Sequence, residues 1–201
     1  MNNKKINSAI YPSLKNRIVL VTGGASGIGE SIVEHFCNQQ AKVIFFDIDT
    51  KSAKKVIEYN TKNYKNTPIY KSCDLTNIKE LQNAIVSIGK EIGNISILIN
   101  SAANDERHSM NDVTEEFWND RININLKHYF FAAQECSRMM KKNGKGVIVN
   151  IGSFSWMRNI GGMICYTTAK SAISGLTRSL ARELGNYNIR VNSVVPGWIM
   201  T

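Results

Sequence analysis

The chain has 201 residues, of which 43% are hydrophobic and 20% charged, and its formal net charge is +9. This length suits one α/β domain with a sizeable core, residues 1–201 together, and is short for two ordinary domains. No apolar run reaches the roughly 18 residues that a membrane span needs, and the basic, polar start (residues 1–17) lacks an apolar signal core.

That start reads as a solvated lead-in to a first strand. Thereafter short apolar runs alternate with longer segments of helical period. Strands are predicted at Ile18–Thr22, Lys42–Asp47, Ile69–Cys73, Ile95–Asn100, Gly146–Ile151 and Arg190–Val195. Each is brief and rich in Val, Ile or Phe, as strands buried on both faces are. Helices are predicted near Gly29–Gln39, Lys51–Lys62, Ile78–Ile92, Thr114–Lys142 and Tyr166–Leu184. Strand then helix, repeated, predicts an α/β fold with a doubly wound parallel sheet. Right-handed crossovers then gather the carboxyl ends of the strands on one rim, where ligands bind.

Lysines cluster between Lys51 and Lys71 and at Lys141, Lys142 and Lys145. With little aromatic interleaving, these clusters read as solvated helix faces rather than a nucleic-acid surface. Cys37, Cys73, Cys136 and Cys165 form no C-x-x-C pair and read as buried free thiols in a reducing cytoplasm. His35 and His128 read as surface or packing residues, and no cluster has metal-ligand spacing.

The first strand runs into TGGASGIG (Thr22–Gly29), with a helix directly behind. Glycines there let the backbone turn sharply and approach a pyrophosphate, while the helix N-terminus favours negative charge. The second strand ends at Asp47, about 20 residues on, where a carboxylate binds adenosine ribose hydroxyls. Its charge repels a 2′-phosphate and Ser26 offers no compensating cation, so NAD is expected over NADP. Asp49 and Thr50 are equally able to cap the next helix. In YTTAK, Tyr166 and Lys170 stand at i and i+4 on one helix face, and Ser153 lies 13 residues upstream of the tyrosine. A phenol with a pKa near 10 is a poor base at neutral pH. An adjacent ammonium and a cationic nicotinamide are sources of the stabilisation it needs.

These motifs, with Cys73-Asp74-Leu75, NSAA (Asn100–Ala103), Asn125 in ININL and PGWIMT (Pro196–Thr201), resemble those of the short-chain dehydrogenase/reductase family from about Leu14 to the last residue. The resemblance implies a Rossmann-like fold. It also implies that Ser153 holds the substrate oxygen, Tyr166 exchanges its proton, and Lys170 binds the nicotinamide ribose and depresses the tyrosine pKa. Asn125 would anchor a water in a proton relay. Gly23, Ser26, Gly27, Ile28, Gly29, Asp47, Ile48, Asp74, Leu75, Asn100, Ala102, Pro196, Gly197 and Ile199 would contact the cofactor, with Tyr166 and Lys170.

AANDERH (Ala102–His108), FWNDRININLKHYFFAAQ (Phe117–Gln134) and GSFSWMRNIGGMICYTTAK are further similar to bacterial NAD-dependent aldose 1-dehydrogenases. That similarity implies oxidation of an anomeric hydroxyl to a lactone, with Asn104, Arg107, His108, Ser153, Trp156 and Trp198 facing the sugar. The loop containing Asn104 also reads as an ordinary solvated loop, and the two tryptophans as packing. Two departures from the family stand out. Ala103 replaces a usual glycine, which requires negative φ there. The chain also ends before the usual substrate lid, last helix and seventh strand, so a fragment, an incomplete pocket and a non-catalytic cofactor-binding remnant all stay open. So does a carbonyl reductase of the 3-oxoacyl type. The expected partner is a small-molecule substrate, with no nucleic acid or membrane; self-association is expected to stop at a homodimer rather than a tetramer.

Overall fold

The computed structural model describes residues 9–200. The lead-in expected over residues 1–17 therefore lies partly outside the described residues, as does Thr201. Where it is described, Tyr11 N–H donates to Gln39 Oε1 (2.7 Å) and Gln39 Nε2 donates to the Ala9 carbonyl (2.8 Å), which ties the lead-in to the end of the first helix.

Strand β1 (Ile18–Thr22) pairs in parallel with β2 (Lys42–Asp47) on one side and β4 (Ile97–Asn100) on the other. With β3 (Ile69–Ser72), β5 (Gly146–Ile151) and β6 (Ile189–Val194) they form one six-stranded sheet of order β3-β2-β1-β4-β5-β6. The order reverses between β1 and β4, so neighbouring crossovers leave to opposite faces and a crevice opens at their carboxyl ends. Helices α1 (Gly27–Asn38) and α2 (Thr50–Tyr64) cover one face, packing Val33, Cys37, Ala53 and Val56 on Val19, Val21 and Phe45. Helix α3 (Ile78–Glu91), helix α5 (His128–Lys142) and helix α6 (Ile164–Leu184) cover the other, packing Leu81, Ile85, Cys136 and Leu180 on Leu20, Ile44 and Leu98. Alternate strand residues thus feed opposite cores, as the pleat requires.

The strands follow the apolar runs closely. The largest difference is in the predicted helix Thr114–Lys142. It is broken into α4 (Glu115–Ile122), a π turn (Asn123–Lys127) and α5. Asn125, fully buried, donates its side-chain amide to the Arg121 carbonyl (2.9 Å). A side chain competing for a backbone acceptor in this way widens the ladder locally. Smaller differences occur at element ends: α1 and α6 each begin two residues early, β4 begins at Ile97 rather than Ile95, and β6 starts at Ile189.

All four cysteines are buried free thiols, and burial pushes Cys37 and Cys73 up to about 12. Lys51, Lys54, Lys55, Lys62 and Lys65 are exposed around α2, and Lys141, Lys142 and Lys145 are exposed around the end of α5. Among the described residues no helix is long and apolar enough to cross a membrane.

Candidate active site

The carboxyl ends of the strands border a cleft of about 730 Å³. One wall is the glycine turn, with Gly23, Ser26, Gly27, Ile28 and Gly29 all on its surface. A β-carbon at Gly29 would stand 1.8 Å from the Gly23 carbonyl oxygen, and one at Gly23 (φ +70°) would stand 2.7 Å from Ala102 Cα. The turn thus admits no side chain at either position, and α1 opens from it at Gly27 against the cleft. A turn kept free of side chains at Gly23 and Gly29, ending in a helix N-terminus, fits a pyrophosphate.

Asp47 borders the same wall. Its Oδ2 accepts from Ala25 N–H (2.9 Å) and its Oδ1 from Asp49 N–H (3.0 Å), so the carboxylate also braces the glycine turn. The cap of α2 falls to Asp49, which accepts from Ser52 N–H (3.0 Å). Ile48, 72% exposed, forms an apolar lip beside Asp47, with Asp74 and buried Leu75 further along. Asp74 accepts from the N–H and hydroxyl of Thr76. Pro196, Gly197, Trp198 and Ile199 also line the cleft, the Trp198 ring largely exposed.

Tyr166 lies in the first turn of α6 and reaches the cleft, as does Ser153 just beyond β5. Burial raises the Tyr166 pKa, the Ser153 hydroxyl pulls it down, Asp105 pushes it up and Arg107 pulls it down; the balance stays above the ordinary tyrosine value. The depressed pKa that a tyrosine base needs is therefore not supplied by the cofactor-free protein. Lys170, 1% exposed, sits behind Tyr166 with Nζ 5.6 Å from the ring centre. Burial lowers it from 10.5 to about 7. Its Nζ donates to Tyr129 Oη and to the Ile151 carbonyl, both at 2.9 Å.

Asn125 also lies behind the wall. Its Oδ1 accepts from Asn104 N–H (2.9 Å) and its Nδ2 donates to the Asn104 carbonyl (2.8 Å), fastening the loop after β4 to the π turn. Asn100, fully buried, donates to Asn150 Oδ1 (2.9 Å), and Thr22 Oγ1 receives Ser101 N–H (3.0 Å). These contacts hold the β4 exit so that Ala102 borders the cleft. Ala103 keeps the negative φ that its methyl demands.

Asn104 and Arg107 line the far end of the cleft, but His108 and Trp156 do not. His108 spends both ring nitrogens on the protein: Nδ1 lies 3.0 Å from the Glu106 carbonyl and Nε2 accepts from Cys165 N–H (3.3 Å). It clasps the loop to the start of α6. Trp156 turns its Nε1 inward, where it is buried without a hydrogen-bond partner. The far end instead carries Asp120, Arg121 and Arg158, which sequence reasoning missed. Arg121 pairs with Glu106 (2.9 Å) and Asp120. Its position four residues before Asn125 was the available signal. His35 is exposed, and His128 is fully buried.

The family described as short chain dehydrogenase matches residues 17–201. A D-xylose 1-dehydrogenase of Caulobacter vibrioides is 45% identical over 98% of this chain and 77% of its own length. A Rhizobium meliloti protein named "Probable galactose dehydrogenase" is 40% identical, over 96% of this chain and 76% of its own. Among solved structures, an NAD+-bound xylitol dehydrogenase superposes with a TM-score of 0.87 at 25% identity, covering 94% of this chain and 72% of that one.

Proposed function

Because the chain belongs to the short-chain dehydrogenase family, and is thus an oxidoreductase acting on CH–OH groups, we propose that it oxidises the anomeric hydroxyl of an aldose with NAD. The observation that carries this reading is the convergence of Tyr166, Ser153 and the polar far wall on one cleft. Asn104, Asp105, Arg107, Asp120, Arg121 and Arg158 offer a polyol mixed donors and acceptors of both charges, without a purely cationic patch. The relatives named for D-xylose and galactose support the same substrate class.

NAD would supply the hydride acceptor for C1. Asp47 would hold the adenosine ribose and reject a 2′-phosphate; the glycine turn would hold the pyrophosphate; Lys170 would reach the nicotinamide ribose. Asp74, Leu75 and Ile48 would enclose the adenine, and Ala102, Pro196, Gly197 and Ile199 the nicotinamide side; Asn100, fully buried and absent from the cleft lining, would act only by holding the β4 exit. Tyr166, as phenolate, takes the proton of the C1 hydroxyl while Ser153 Oγ donates to the same oxygen. Because burial raises the Tyr166 pKa, the phenolate depends on positive charge close by, from Lys170 and from the nicotinamide ring. Asn125 would keep Asn104 at the sugar. The test follows nicotinamide reduction by the purified chain over D-xylose, L-arabinose, D-galactose and a simple secondary alcohol, with NAD and with NADP. Faster reduction of a 3-oxoacyl thioester by NADPH than oxidation of any aldose by NAD would overturn the reading.

A further inference from the structure

Lys170 is an isolated cation. Among the described residues it has no ion pair. The titratable groups facing it are Tyr166 on its own helix and Tyr129 and His128 on α5. Burial, and then the Lys170 charge, hold His128 at about 3, so its ring is neutral. Burial likewise drives the Tyr129 phenol far above its ordinary value, so it keeps its proton.

An ammonium has three N–H donors. Lys170 gives one to the Ile151 carbonyl and one to Tyr129 Oη. Tyr129 Oη lies 3.0 Å from the Ile151 carbonyl and 3.3 Å from the Ala102 carbonyl, both acceptors only. The phenolic hydrogen therefore goes to a carbonyl, and the oxygen lone pair is left to face Lys170. His128 Nε2, 3.3 Å from the same Ala102 carbonyl, leaves that geometry undisturbed. Tyr129 thus ties the β4 exit, the end of β5 and the Lys170 amine to one buried oxygen.

We propose that Tyr129 is a positioning residue: its phenolic oxygen holds Lys170 as an ammonium with the third N–H turned to the nicotinamide ribose. The inference rests on the role given to Lys170 under the proposed function. Phe at this position keeps the ring and removes only the acceptor, so the buried Lys170 ammonium is left with the Ile151 carbonyl as its one protein partner.

The test needs no turnover. NAD affinity is measured by calorimetry from about pH 5 to pH 9 for the native chain, Tyr129→Phe and Lys170→Met. In the native chain affinity falls as pH rises and Lys170 loses its proton. In Tyr129→Phe the fall begins about one to two pH units lower, the equivalent of one hydrogen bond to a charged group, while affinity at the acid end is unchanged. Equal weakening at every pH would mark Tyr129 as packing alone, and an unmoved curve would mark it as irrelevant; either overturns the proposal. If Tyr129→Phe does not fold, Tyr129→Leu carries the same expectation. A fall that persists in Lys170→Met would instead overturn the Lys170 assignment itself.

Discussion

Burying a lysine without a countercharge has a stability cost that is open to measurement. Folded, Lys170 titrates at about 7 rather than 10.5. Between those values the unfolded chain binds more protons than the folded one, so stability rises with pH across that window and the penalty is fully present below it. At about 1.4 kcal/mol per pH unit, the gap caps the effect at about 5 kcal/mol. Lys170→Met keeps the length and burial of the side chain and removes the charge. It leaves no buried donor stranded, because Tyr129 Oη still donates to the Ile151 carbonyl at 3.0 Å. Replacing such a buried charge by an apolar group stabilises by about 1–4 kcal/mol in comparable sites. For a chain of this size each kcal/mol moves the melting temperature by roughly 2–4 °C. Thermal melts without cofactor, from acid to alkaline pH, should show the variant melting higher near neutrality and losing the rise towards alkaline pH. The acid limb should persist in both proteins. His128, buried and held at about 3 against an ordinary 6.5, makes stability fall as pH drops below the ordinary histidine value. A variant that melts lower than the native chain, or that keeps its alkaline slope, would refute the reasoning.

Tyr166→Phe should lower turnover by at least about a hundredfold, the usual reach of a general base, while NAD still binds; near-native rates would exclude the phenol as the base. Asp47→Ala removes the carboxylate proposed to hold the ribose, together with its bonds to Ala25 and Asp49 N–H. NAD affinity should drop roughly tenfold or more and discrimination against NADP should relax, as read in paired binding titrations; an unchanged NAD-to-NADP ratio would place selection elsewhere. Gly29→Ala sets a methyl 1.8 Å from a backbone oxygen, so α1 must lift from β1. A loss of about 1–3 kcal/mol is expected in denaturant unfolding, with weaker NAD binding; an unchanged midpoint would mean the turn is slack.

The strand pattern was legible because parallel strands buried on both faces are nearly unbroken apolar runs, and β1, β2 and β5 begin and end as their sequences suggest. Tyr166 and Lys170 were legible because four-residue spacing holds throughout α6. The same spacing misled between α4 and α5. Arg121, Asn125 and Tyr129 continue a four-residue rhythm straight through the π turn, so periodicity gives no sign of the extra residue. His108 and Trp156 look like sugar ligands by type and location, yet what decides their roles is the direction of each ring. For His108 that direction depends on Cys165 N–H donating to its Nε2 and on the Gly162 carbonyl accepting from its N–H across the fold, contacts that no local pattern encodes. Proximity of Lys170 to Tyr166 was visible, but not the burial that raises the tyrosine pKa.

The π turn at Asn123–Lys127 behaves as a phase shifter. In an unbroken helix His128, seven residues after Arg121, would come round beneath it, at about 100° per residue. The extra residue in the turn hands that place to the next one along. Arg121, on the side of the cleft, is thereby brought into line with Tyr129, on the side of the Lys170 amine, while His128 rotates into the contact with the Ala102 carbonyl. This stretch of chain is consequently far more sensitive to length than to composition. A conservative exchange at an exposed position alters one contact, whereas loss or gain of a single residue turns every side chain beyond it and separates the Arg121 end of the cleft from the Lys170 amine.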